Sequence, residues 1–231
     1  MRYPRTSDRR LRRLGMLCGV LAPLLWLLLI AVAGTLRPGF SHVTHYISEL
    51  AERGGSTETL MRYAAFEFTG FLYLCFGLAL MGEFRNSRFS RLAACLIALD
   101  GLGRIGAGVF PCDPGCVGLS LSQSLHHFFA TVGFCSGILA TIVWGIIFRI
   151  QGWSKVFTGY SVGTGISALT FLLGMTWSQN PMKTPGLFEH LATLILSLWL
   201  LVFAACLFRN NYKYDESNRF GDFTKLKTKR L

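Results

Sequence analysis

Six apolar runs, at residues 14–36, 60–82, 91–110, 123–148, 157–177 and 187–208, constrain this chain more than any other feature. About 20 consecutive apolar residues cross the hydrocarbon core of a bilayer, where every backbone N–H and C=O must find its partner inside the segment. The pattern predicts an all-α fold, a polytopic integral membrane bundle of six transmembrane helices. Only 15% of the 231 residues are charged, too few to clothe a soluble domain of this length. The connections are short and leave no room for a soluble catalytic domain. The expected organisation is a basic arm over 1–13, one membrane domain over 14–208 and a basic tail over 209–231.

The formal net charge of +11 would suggest nucleic acid on a soluble chain, but its placement argues for a membrane. All of the 23 Lys and Arg except Arg37, Arg53, Arg62, Arg104 and Lys183 lie in the arm, in the tail, or around the connections after spans two and four. With alternating spans these positions share one side, which the positive-inside rule makes cytoplasmic. The chain is therefore expected in the cell (inner) membrane, N-in/C-in. Its arm and tail would rest on anionic inner-leaflet headgroups, at about 1 kcal/mol per basic residue. Membrane lipids are the expected partners and nucleic acid is not; nothing in the sequence bears on oligomeric state. Ala31-Val32-Ala33 has the small-x-small form of a signal-peptidase site. The run before it is longer than a usual signal segment, and its removal would leave five spans, so span one is expected to stay, with Pro23 as a kink.

Cys18, Cys75, Cys95, Cys135 and Cys206 fall within spans, where a thiol is a small packing group. Only Cys112 and Cys116 share a loop. Alternation puts that loop on the oxidising side, where the two can close a disulfide over Asp113-Pro114-Gly115.

Polar residues gather toward the same side. The first outer loop carries His42, His45, Ser48, Glu49 and Glu52. In a helical turn His45, Ser48, Glu49 and Glu52 would share a face and leave Tyr46, Ile47 and Leu50 for the membrane, as in an interfacial helix. The competing reading is a solvated polar face. Glu67 in span two and Arg104 in span three lie about 10 Å and about 9 Å below that surface at 1.5 Å rise per residue, and Asp100 and Arg104 are an i, i+4 pair. Buried charges of this kind pair with one another or line a cavity. Gly101-x-Gly103-x-x-Gly106 spells a dinucleotide fingerprint, but it lies inside an apolar helix with no strand before it. With Gly108 it reads as a small-residue packing face, and Gly159-x-x-x-Gly163 gives span five another. Span four opens with Gln123 and His127 at i, i+4 spacing. His126 and His127 are adjacent and point about 100° apart. Glu189 and His190 open span six.

The pieces His45-Tyr46-Ile47-Ser48-Glu49-Leu50, Gly108-Val109-Phe110-Pro111-Cys112-Asp113 and His126/His127 together resemble a bacterial and archaeal family of six-span membrane proteins catalogued as domain of unknown function 998. The Tyr-Ile-Ser-acidic element is also similar, more distantly, to the one that opens the Frag1/DRAM/Sfk1 membrane family, although His45 and Glu49 stand where that family has Pro and Asp. The nearer resemblance implies a six-span fold and a shared polar site, and no established activity.

Three functional readings follow from the polar layer. In the first, a cavity in the outer half of the bilayer binds or remodels a lipid or other amphiphile, with Glu67, Asp100, Arg104, Gln123 and His127 as ligand-binding residues; a guanidinium suits phosphate because it donates two parallel hydrogen bonds. In the second, His45, Asp113, His126 and His190 hold zinc, which lowers the pKa of a bound water to about 7. Ser48 and Glu49 then assist as catalytic residues of a lipid hydrolase or amidase. That ligand set is similar in kind to the alkaline ceramidase and adiponectin-receptor superfamily, but the last span lacks its His-x-x-x-His. In the third, the charges are ion pairs that only fix helix packing. A redox reading through Cys112 and Cys116, or haem on the histidines, fails on spacing, because there is no Cys-x-x-Cys and all histidines lie on one side.

Overall fold

The computed structural model describes the backbone of residues 6–84, 87–152, 154–177 and 183–228, and side chains between 10 and 209 within those stretches. The side chains of Arg2, Arg5 and Arg9 in the arm, and of the tail beyond Arg209, to which most of the expected headgroup contacts fall, lie outside the described residues. Six helices are long and apolar enough to cross a membrane: α1 (Thr6–Leu36), α2 (Thr69–Glu83), α3 (Arg88–Val109), α4 (Leu121–Ile150), α5 (Lys155–Trp177) and α6 (Pro185–Thr228). A π-helical segment, Leu60–Phe68, runs straight into α2 and completes that span. Pro23 sits inside a continuous α1. The fold is all-helical, as the apolar runs require.

Short connections make sequence neighbours antiparallel neighbours. Each helix packs on the next, and α6 returns to α1, so the six spans close into a ring. Its centre is filled toward the Glu83 end by Tyr73, Phe76, Trp144, Phe148, Trp199 and Phe203. A second cluster joins Trp26, Ile30 and Ala33 of α1 to Met61, Ala65 and Phe66 at the opposite end. That end collects residues 37–59 and 110–120 and the start of α6, and is called the cap end below.

The glycines of α3 divide between two neighbours. An added Cβ at Gly101 would come 2.7 Å from the backbone nitrogen of Leu74, and one at Gly103 would come 2.6 Å from the backbone of Gly133. Gly108 meets Phe66 and Glu67, and Gly106 lies under the Phe129 ring. α3 is thus wedged between α2 and α4 by backbone contact on both sides. The Gly159 and Gly163 pair behaves otherwise: nothing lies within 4 Å of an added Cβ at either. α5 packs instead through Ser161, Thr164, Gly165 and Ala168, so the expected packing face of the pair is not used within the chain. Ser161 and Thr164 donate their hydroxyls to carbonyls of the preceding turn, at 2.9 and 2.8 Å.

Candidate polar site and its cap

The cap is built from loop residues tied to three helices. Ile47–Ala51 forms a 3-10 turn. Its apolar residues Ile47 and Leu50 are fully buried against Trp26, Met61 and Phe66; they face the protein and not the lipid, which corrects the interfacial-helix expectation. The physical reason is that five residues folded over the mouth of a ring bury more apolar area inward than outward. The Ile47 N–H donates to Glu189 on α6 at 2.7 Å, and the Leu187 N–H donates to the Val43 carbonyl at 3.0 Å. Arg37 donates to the Glu49 carbonyl and, at 2.5 Å, to the Glu52 carboxylate. The other oxygen of Glu52 accepts the Gly115 N–H at 2.5 Å, which joins the first loop to the cysteine loop.

Cys112 and Cys116 form a disulfide with Cα atoms 5.0 Å apart. Ser48 lies against it, with its carbonyl 3.5 Å from Cys112 Sγ and its hydroxyl 3.3 Å from Cys116 Sγ. Asp113 accepts from the Ser120 hydroxyl at 2.9 Å, and Ser120 in turn caps α4 by accepting the Gln123 N–H at 3.1 Å. Gln123 accepts the Asp113 N–H at 2.7 Å and donates to the Cys116 carbonyl at 2.9 Å. Replacing both cysteines by alanine is expected to cost about 2 kcal/mol from the lost loop constraint, read as a lower midpoint in thermal unfolding without reductant; the wild type with reductant should approach the same midpoint.

Glu49 accepts the Tyr46 N–H at 2.7 Å and is buried in the cap. Burial pushes its carboxyl above the usual range, against the Tyr46 N–H, His45 and Arg37, which pull it down. A carboxyl whose folded pKa is raised stabilises the fold at low pH, and this contribution is lost as pH rises through the folded value. Cap stability should therefore fall with rising pH above the ordinary carboxylate range, and Glu49→Gln, which keeps the acceptor, should flatten that slope in thermal unfolding followed across pH.

Beneath the cap lies the charged centre. Arg104 donates through Nε to Asp100 Oδ1 at 3.0 Å. Its guanidinium carbon lies over the rings of Trp26 on α1 and Tyr73 on α2, 4.5 and 4.4 Å from their centroids. The Trp26 indole N–H is buried without a hydrogen-bond partner among the described residues, and the buried Tyr73 hydroxyl lies beside the Ser197 hydroxyl. Asp100 and Tyr73 also line a cavity of about 10 Å³ with Gly137, Leu196 and Trp199, about the space of one buried water. A family model described as a protein of unknown function, DUF998, matches residues 20–206, from α1 into α6.

The chain belongs to the DUF998 family. No curated protein and no solved structure matches it.

In this DUF998 protein the polar residues singled out from sequence do not form one group. Asp100 and Arg104 meet, as their spacing requires. Glu67 does not join them: it packs at Gly108, one turn nearer the cap, and its carboxylate has no partner among the described residues. Side chains lean toward the N-terminus of their own helix. Because the two helices are antiparallel, Glu67 leans toward the cap while Arg104 leans back toward Asp100. Similar depth therefore did not mean contact. His127 is exposed and pairs with Gln123. His126 is the inward member, with Nδ1 2.9 Å from the carbonyls of Ala107 and Phe110 at the end of α3.

The four residues grouped as a zinc set are equally dispersed. His126 serves the α3 carbonyls, Asp113 serves Ser120, His45 accepts the Ser41 N–H at 3.1 Å, and His190 pairs with His42. Among the described residues no three His, Cys, Asp or Glu side chains gather to hold a metal ion. Trp26 and Tyr73 carry no mark in the sequence that separates them from lipid-facing aromatics. Only their place beside Arg104 singles them out.

Proposed function

We propose that this DUF998 protein sits in the cell (inner) membrane and binds an amphiphile with an anionic headgroup, with Arg104 as the headgroup receptor. The observation that carries the reading is the state of the guanidinium. Of its five N–H donors, Nε alone has an acceptor among the described residues, the carboxylate of Asp100. Trp26 and Tyr73 pack their rings against the guanidinium, and the Nη edge meets no acceptor among the described residues. A planar edge fixed by one ion pair and two ring contacts is pre-organised for bidentate donation to phosphate or carboxylate. The buried Trp26 N–H, without a partner among the described residues, is a further donor available to such an oxyanion. In this reading the cap end faces outward and both termini are cytoplasmic, with the arm over 1–13 and the tail over 209–231 against anionic headgroups, flanking a membrane domain over 14–208.

Binding is preferred to hydrolysis because Ser48 and Glu49 are engaged in holding the cap, against the disulfide and the Tyr46 N–H. The test is native mass spectrometry of protein purified from its membrane. The wild type should carry a stoichiometric anionic amphiphile, Arg104→Lys a reduced fraction, and Arg104→Gln none. Equal occupancy per folded molecule in Arg104→Gln would leave Asp100 and Arg104 as an ion pair that only fixes packing.

A further inference from the structure

The cap holds a second pair of groups that the proposed headgroup site does not use. His42, on the first loop, and His190, in the first turn of α6, face each other across 148 residues of sequence, with His42 Nδ1 2.9 Å from His190 Nε2. Their rings are nearly perpendicular, with centroids 4.8 Å apart. His190 Nδ1 lies 2.7 Å from the Gly186 carbonyl. A carbonyl can only accept, so Nδ1 carries the proton and Nε2 presents a lone pair toward His42. A histidine whose far nitrogen is held by a backbone carbonyl is the usual arrangement of a metal ligand. His42 is placed with equal care: an added Cβ at Gly34 on α1 would come 2.6 Å from its Nε2, so the ring rests on bare backbone. Phe40 walls the pair, 5.1 Å from the His42 ring and 6.3 Å from that of His190.

We infer that His42 and His190 form a binding site for a divalent copper-type transition-metal ion. With metal–nitrogen bonds of about 2.0–2.1 Å, two ligands in adjacent corners of a square-planar ion stand about 2.9 Å apart, the separation already present. His190 offers Nε2 as it stands. His42 offers Nδ1 once its proton moves to Nε2, the nitrogen beside Gly34, a neutral tautomer exchange, so no net proton or electron is required. The other equatorial positions open to water. Copper(II) is favoured over zinc because imidazole and tetragonal geometry both suit it and because it binds most tightly in the divalent series. His45 is excluded from the set, since its Nδ1 accepts the Ser41 N–H and its Nε2 therefore carries the proton. A bound ion would clip the first loop to α6 beside the Glu189–Ile47 hydrogen bond.

The test uses tag-free full chain in nanodiscs, stripped with chelator and titrated with copper(II). Wild type should bind one equivalent with the electron paramagnetic resonance signature of two imidazole nitrogens, and its thermal midpoint should rise with added copper. His42→Gln and His190→Gln should each lose the two-nitrogen signal and the midpoint shift, while His45→Gln keeps both. Wild type without stoichiometric copper would overturn the site, as would a two-nitrogen signal that survives in His42→Gln or His190→Gln. Helical circular dichroism of each variant separates loss of ligand from loss of fold: the site stands if the folded variants lose copper and falls if they keep it.

Discussion

Arg104→Gln is expected to lower the stability of the folded chain by about 3–5 kcal/mol, because it leaves Asp100 as an uncompensated charge inside the ring. Asp100 is 7% exposed and has Arg104 as its ion-pair partner. Removing both charges should behave differently. Asp100→Asn with Arg104→Gln leaves two neutral amides that can bond to each other at the same i, i+4 spacing, and most of the lost stability should return. Unfolding midpoints in detergent for wild type, both single variants and the double variant give the coupling energy of the pair. The same four proteins separate packing from binding. If the pair serves only packing, the stable double variant should resemble wild type in every assay. If Arg104 receives a headgroup, the double variant should be stable and empty, because no guanidinium edge remains beside Trp26 and Tyr73.

Gly103→Leu is expected to cost about 3 kcal/mol or more. At this position the obstacle is the backbone of Gly133, 2.6 Å from where the Cβ would sit. A side-chain neighbour can change rotamer, whereas two helix backbones in contact can only move apart, and α3 is held on its other side by Gly101 against α2. Gly159→Leu provides the comparison. It adds the same side chain to a helix position with nothing within 4 Å, and its unfolding midpoint should stay near that of wild type. A similar loss in both variants would show that contact with the Gly133 backbone does not set the cost, because replacing glycine by leucine raises helix propensity at either position.

Some of the site was legible from spacing and some was not. Asp100 and Arg104 are four residues apart on one helix, so helical geometry alone brings them together. Ser120 and Gln123 are local in the same sense. Glu67 was not legible, because depth along the membrane normal says nothing of which way a helix face turns. His42 and His190 have no reason in spacing to meet. The two small-residue stripes look alike as sequence, yet Gly101, Gly103, Gly106 and Gly108 are packed from both sides while Gly159 and Gly163 are packed from neither.

The sequence by itself determined the all-helical class, the six spans and the family, since apolar runs of bilayer length leave the backbone no solution but the helix. It also made the local pairs, whose partners a single helix supplies. Only the tertiary structure decided the rotation of each helix about its axis. That rotation set Arg104 against two aromatic rings and parted Glu67 from Arg104, while the fold of the first loop turned Ile47 and Leu50 inward and set His42 against His190. The physical reason is that lipid accepts any apolar face, so the apolar runs do not say which face turns inward; the packing of backbones at the glycines and the hydrogen bonds of the cap make that choice.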